Sequence, residues 1–69
     1  MTAEHEFYLY LLECYAAYKN KPTGEVLEEW DLLNISDFIF NMYEMYHSES
    51  IENAFKDIDN LIMTGKPAW

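Results

Sequence analysis

Glu44 and His47 stand three residues apart in the stretch NMYEMYHSES, residues 41–50. On a helix that spacing puts both on one face. A Glu-x-x-His step is how helical bundles present ligands to a carboxylate-bridged metal pair, but such a site draws on four carboxylates and two histidines. This chain has one such step, and its other histidine, His5, lies in a different segment. A metal at Glu44 and His47 therefore requires two copies of the chain. The helical wheel also turns Glu44 away from Phe38, Met42 and Tyr46, toward water. His47 falls at the end of its segment, where a histidine cation suits the negative end of the helix dipole. Both read as structural or surface residues, and no metal and no other cofactor is expected.

The remaining chemistry-bearing groups are read the same way. Asp57 and Asp59 in DIDN (57–60) diverge by about 200° on a helix, so they cannot chelate one ion together. A calcium loop needs more acids and a glycine at fixed offsets. Solvation, pairing with Lys56 of another segment or chain, or an Asp57 contact to His47 or a helix N-terminus are the expected roles. Cys14 is the single cysteine. With Glu13 beside it and no basic residue close in sequence, nothing lowers its pKa, and it reads as a small buried apolar residue. No glycine-rich turn offers an oxyanion hole, and no Ser-His-acid set stands out. No catalytic residue is assigned, and the chain is expected not to be an enzyme.

Two features suit binding instead. Six tyrosines, at positions 8, 10, 15, 18, 43 and 46, lie in two segments only. Tyrosine joins a large apolar face to a hydroxyl that can stay wet, which suits either a core rim or an interface. Tyr10 and Leu9 lie off the main apolar stripe and are the candidates for contact with another chain. Glu25, Glu28, Glu29 and Asp31 form an acidic face without a nearby lysine. That is either a solvated surface or a site for a basic partner. Trp69 either folds back onto the bundle or docks in a partner, since a bare indole in water forgoes a few kcal/mol of burial (about 1.5–3 for a large apolar side chain).

These residues are positioned by helices. Breaks fall at NKPTG (20–24) and TGKP (64–67), and the intervening periodicity is helical. The first segment, about 3–19, has a stripe of Phe7, Leu11, Cys14, Tyr15 and Tyr18, widened by Tyr8 and Leu12. Thr2 is its expected N-cap. Leu9, Tyr10, Ala16 and Ala17 occupy other faces, so the helix is apolar nearly all round, and one flank is expected to meet another chain. The second segment, 23–33, has Thr23 as its expected cap and Val26, Leu27, Trp30 and Leu33 inside. Asn34 should end it in a left-handed conformation. The third, 36–47, turns Phe38, Ile39, Met42, Tyr43 and Tyr46 inward, with Asp37, Asn41, Glu44 and Ser48 opposite. The fourth, 50–64, is capped by Ser50 and closed by Gly65. It buries Ile51, Ala54, Phe55, Ile58, Leu61 and Ile62. The expectation is an all-α chain: a compact bundle of four short helices in a single domain, 1–69, with a short tail, 65–69.

Size and charge narrow the function. Sixty-nine residues are near the limit at which one core outweighs chain entropy, so a second chain is a natural staple. Thirteen acids face four lysines, for a net charge of −9. That argues against nucleic acid and against anionic membranes. The longest apolar run, FYLYLL, falls far short of the about 20 residues a bilayer needs. One cysteine and no signal-like start point to the cytoplasm.

The ordered pattern TGEV…W…NISDFI…YE..H…DIDNLI resembles a family of small bacterial proteins catalogued only as a domain of unknown function. The matching positions are Thr23, Gly24, Glu25, Val26, Trp30, Asp37, Phe38, Ile39, Tyr43, His47, Asp57, Ile58 and Asp59. The chain departs from the pattern by lacking one residue after Gly24, at the start of the second helix. The resemblance implies no activity, cofactor or catalytic residue. It implies a stand-alone cytoplasmic protein, often encoded beside one with an ADP-ribosyltransferase-like domain. The reading is a non-enzymatic protein–protein interaction module, expected to be homodimeric, with an unidentified protein partner, and the resemblance implies an antitoxin-like or immunity-like role. The alternatives are an acidic nucleic-acid mimic that inhibits a basic protein, as in a phage anti-defence inhibitor, and a metal-binding dimer built on Glu44 and His47.

Overall fold

The structure, a computed structural model, describes residues 2–65. Within them the chain is all helical and forms a small bundle. The elements are α1 (Ala3–Lys19), α2 (Thr23–Leu32), α3 (Ser36–Asn41), α4 (Tyr43–Ser48) and α5 (Ile51–Thr64). A Cα radius of gyration of 10.9 Å equals the about 11 Å expected of a tightly packed chain of this length.

Local signals set the helix ends. No glycine, proline or β-branched residue interrupts residues 3–19, so the first segment keeps full helix propensity. Its first turn is closed by the Thr2 hydroxyl, which accepts from the His5 N–H at 3.2 Å. Asn20 ends α1 in the left-handed region at φ 57°. Lys21 N–H then donates back to the Ala16 carbonyl at 2.9 Å, completing a Schellman turn. Asn34, at φ 58°, repeats the device after α2, with the Ile35 N–H on the Trp30 carbonyl at 3.0 Å. Ile35 and Trp30, the two ends of that bond, are both buried. Gly65, at φ 76°, closes α5. Two expected caps differ. The N-cap of α2 is Pro22, whose carbonyl receives the Glu25 and Val26 N–H groups, and Thr23 is the first helical residue. Ser50 holds the cap position of α5 without a side-chain bond.

The expected third helix is two helices. Met42 (φ −88°, ψ 17°) leaves helical geometry, and its N–H is shared between the Phe38 and Ile39 carbonyls. No glycine or proline lies there, so the bend comes from packing. On one side of it Phe40 of α3 meets His5 and Tyr8 of α1, at 5.2 and 5.8 Å between ring centroids. On the other side Tyr43 and His47 of α4 meet Phe7 of α1, at 5.6 and 5.7 Å. The two pieces thus hold different flanks of α1.

Trp30 is the center of the core, with 0 % of its surface exposed. The rings of Tyr8 and Tyr15 lie at 5.9 and 5.7 Å from it. Among the described residues its Nε1–H is the buried side-chain polar atom without a hydrogen-bond partner. Leu11, Leu12, Val26, Ile39, Ala54, Ile58 and Leu61 complete the core. The buried arc of α1 is rotated from the expected one. Ala16 is buried, at the point where the chain turns back toward α2, whereas Tyr18 is mostly exposed and Cys14 only half-buried. Leu33, expected inside, is also exposed, because it terminates α2 rather than facing Trp30 across a full turn.

The two sides of α2 should therefore differ sharply in energy. Trp30→Ala should cost about 3–5 kcal/mol, enough to leave a chain of this size largely unfolded. Leu32→Ser, two positions on, should change stability by less than about 0.5 kcal/mol. Thermal melts followed by circular dichroism compare the two directly.

Candidate functional site

The Asp-x-Asp step is consumed inside the bundle. Asp57 is 3 % exposed, and the Tyr46 hydroxyl of α4 donates to its Oδ2. Asp59, about 200° around α5, faces α1. Its Oδ1 accepts from the Tyr15 hydroxyl at 2.5 Å and meets Lys19 Nζ at 2.9 Å. The same ammonium lies 5.8 and 5.2 Å from the Tyr15 and Tyr18 ring centroids. Asp59 therefore pairs with Lys19, not with Lys56 as expected, and Asp57 has a tyrosine partner that sequence reasoning missed. Tyr46 lies 11 positions from Asp57 and Tyr15 lies 44 from Asp59, so neither partnership has a local signal. A third tyrosine, Tyr8, hydrogen-bonds to the Ser36 hydroxyl at the start of α3.

Burial first, and then the bond to a carboxylate, push the Tyr15 and Tyr46 phenols far above the usual tyrosine range. Lys19 is raised by its bond to Asp59. These groups are held in the forms that pair with one another, which is a structural arrangement. A cavity of about 250 Å³ beside them is lined by Tyr15, Lys19, Glu29 and Asp59 among others.

Glu44 and His47 both lie exposed on α4, three residues apart. Glu44 is exposed on the outer side of α4. The His47 ring stacks on Tyr43 at 5.0 Å and meets Phe7 edge-on at 5.7 Å. Among the described residues no group of three or more His, Cys, Asp or Glu could hold a metal ion. No helix of these residues is long and apolar enough to cross a membrane.

The partner-facing candidates fall on two surfaces. Leu9 and Tyr10 are 41 % and 56 % exposed on the outer side of α1. Glu25, Glu28 and Glu29 line a groove of about 480 Å³ with Leu32, Leu33 and Ile62. This acidic face does have a nearby lysine, since Lys21 Nζ lies 3.9 Å from Glu29 Oε2. Trp69 lies outside the described residues. The sequence reasoning missed Leu32 and Met63, which are 78 % and 83 % exposed. Leu32 had a signal: it stands seven residues after Glu25 and four after Glu28, so it continues the acidic stripe as an apolar residue on a polar face.

The chain belongs to the DUF3791 family, described as a protein of unknown function, which matches residues 6–64. No curated protein and no solved structure matches it. Every position of the TGEV-to-DID pattern lies within the matched range.

The tyrosine–aspartate bonds predict a stability profile. Tyr46→Phe strips a donor from a buried carboxylate and should cost about 1–3 kcal/mol, or roughly 4–8 °C in Tm for each kcal/mol. Tyr15→Phe should cost less, because Lys19 still serves Asp59. A phenol with a raised folded pKa stabilises fully below the unfolded value of about 10 and loses that contribution as pH rises beyond it. Melting temperature should fall above about pH 10, and the fall should be shallower in the double Phe variant. Melts across the alkaline range measure both.

Proposed function

We propose that this member of a family of unknown function is a non-enzymatic protein–protein interaction module of the bacterial cytoplasm. The observation that carries the reading is the set of large apolar side chains left in water. Leu32 and Met63 are more than three-quarters exposed, and Leu33, Leu9 and Tyr10 are close to half exposed. Single exposed apolar residues are ordinary, but Leu32 and Leu33 gather at a groove rimmed by Glu25, Glu28 and Glu29, which favours a binding surface. The reactive side chains support the reading from the inside, since Tyr15, Tyr46, Asp57, Asp59 and Lys19 are engaged with one another. A single cysteine fits a reducing compartment. The resemblance to proteins encoded beside an ADP-ribosyltransferase-like protein supports the specific form: an antitoxin-like or immunity-like partner of that neighbour.

Self-association through α1 belongs to the same reading. Leu9 and Tyr10 flank an outer arc of α1 on which Glu6 and Glu13 lie between them. Two copies meeting there bring like charges together, so added salt should strengthen the dimer. Light scattering over a dilution series should give a mean mass that rises toward the dimer with salt and falls to the monomer in Tyr10→Glu, whose circular-dichroism spectrum stays helical and whose Tm loses the concentration dependence that dimerisation confers. A chain that stays monomeric throughout removes the homodimer. If the neighbouring gene's product also fails to co-purify with it, the module reading falls.

A further inference from the structure

We propose that the groove between α2 and α5 is a docking site for a basic amphipathic helix of another protein. This deepens the interaction-module reading and rests on it. Leu32, Leu33 and Ile62 form the floor, and Glu25, Glu28 and Glu29 form the rim. Leu33 and Ile62 also belong to a second hollow of about 390 Å³, which continues the surface toward Phe38 and Leu61. The apolar floor therefore runs from the outer side of α2 to the side of α3 without a polar barrier at the shared residues.

The dimensions suit a helix. Glu25 to Leu33 covers eight helical steps, or about 12 Å, which matches apolar anchors at i, i+4 and i+7 of a partner helix. The charge selects the partner. Glu29 is shared with Lys21 at 3.9 Å, whereas Glu25 and Glu28 have no ion-pair partner among the described residues. A second copy of this chain has thirteen acids, four lysines and no arginine, so it has little cationic flank to offer this rim, and the groove does not select it. Nucleic acid and anionic lipid are repelled by the acidic rim. Lysine or arginine on either side of an apolar stripe satisfies floor and rim together, and it speeds encounter at low salt.

The test uses the full chain and a labelled synthetic peptide of about four turns, with leucines at i, i+4 and i+7 and lysines elsewhere. Its twin carries glutamate in place of lysine. Fluorescence anisotropy should show binding of the lysine peptide, weakening with salt, and none of the twin. Leu32→Ser, and Glu25→Gln combined with Glu28→Gln, should each weaken binding roughly tenfold or more. All three positions are exposed, and melts of the variants check that the fold is kept. Glu4→Gln with Glu52→Gln removes the same charge elsewhere and should leave binding essentially unchanged at moderate salt, where distant charges are screened. Tyr10→Glu should leave it unchanged too. Equal binding of both peptides, no binding, or equal loss in the charge-matched control overturns the docking site. Binding that ignores Leu32 and is lost in Tyr10→Glu overturns the groove while leaving the interaction reading intact.

Discussion

Burying Asp57 is the constraint on which the bundle depends. An ionised carboxylate without partners is among the costliest groups to remove from water. It is tolerated here because Tyr46 brings a hydroxyl to it from α4. Asp59 uses Tyr15 and Lys19 of α1 in the same way. Two carboxylates that diverge around one helix thus bind two different helices, and α5 is located by directional bonds as well as by its apolar face. Tyrosine suits the task. Its ring fills core volume and its hydroxyl emerges far enough along to meet an acid. A chain of 69 residues buries only about 60 % of its unfolded surface, and apolar packing at that size fixes position loosely. The hydroxyl–carboxylate bonds fix register.

The same economy of elements explains α1. It is long, unbroken and apolar on most sides, and every other helix can use it as a wall. Trp30 sits between Tyr8 and Tyr15, Phe55 packs on Tyr15 and Tyr18, and the α3–α4 bend wraps Phe40, Tyr43 and His47 around the first turns. Five of the six tyrosines are drawn into these contacts or into the hydroxyl bonds. Tyr10, which retains a tilted contact with Phe7 at 6.4 Å, is the one turned chiefly outward with no such role in the core.

Helix positions were legible because their signals are local. Thr2, Asn34 and Gly65 act within a turn of where they stand, and the α5 stripe is regular enough to read directly. The bend at Met42 was not legible, since no residue there breaks a helix and the cause is four aromatic contacts with a distant segment. The buried arc of α1 was misplaced for a related reason. When nearly all faces are apolar, periodicity loses its contrast, and the choice between Ala16 and Tyr18 is made by what packs against them. The acid partners depend on spacing across the fold, as Tyr15 and Asp59 show. The groove was half legible: its acidic rim was in the pattern, and its apolar floor was hidden because Leu33 and Ile62 were expected inside and Leu32 was assigned to no face.

That last error exposes how α2 is built. Val26 and Trp30 hold it from one side, and both are fully buried. A helix anchored so firmly tolerates, on its other side, residues that do nothing for its own stability. Glu25 gains from the positive end of the dipole, but Glu28 and Glu29 repel it at i+3 and i+4 by a few tenths of a kcal/mol each (about 0.2–0.5). Leu32 leaves an apolar side chain in water one turn further on. Within the isolated chain both features are unfavourable. By contrast Asp57 and Asp59 of α5 are met by partners within the chain. On α2 these residues share one face beside a groove, and an apolar stripe flanked by cations is the arrangement that would relieve them together.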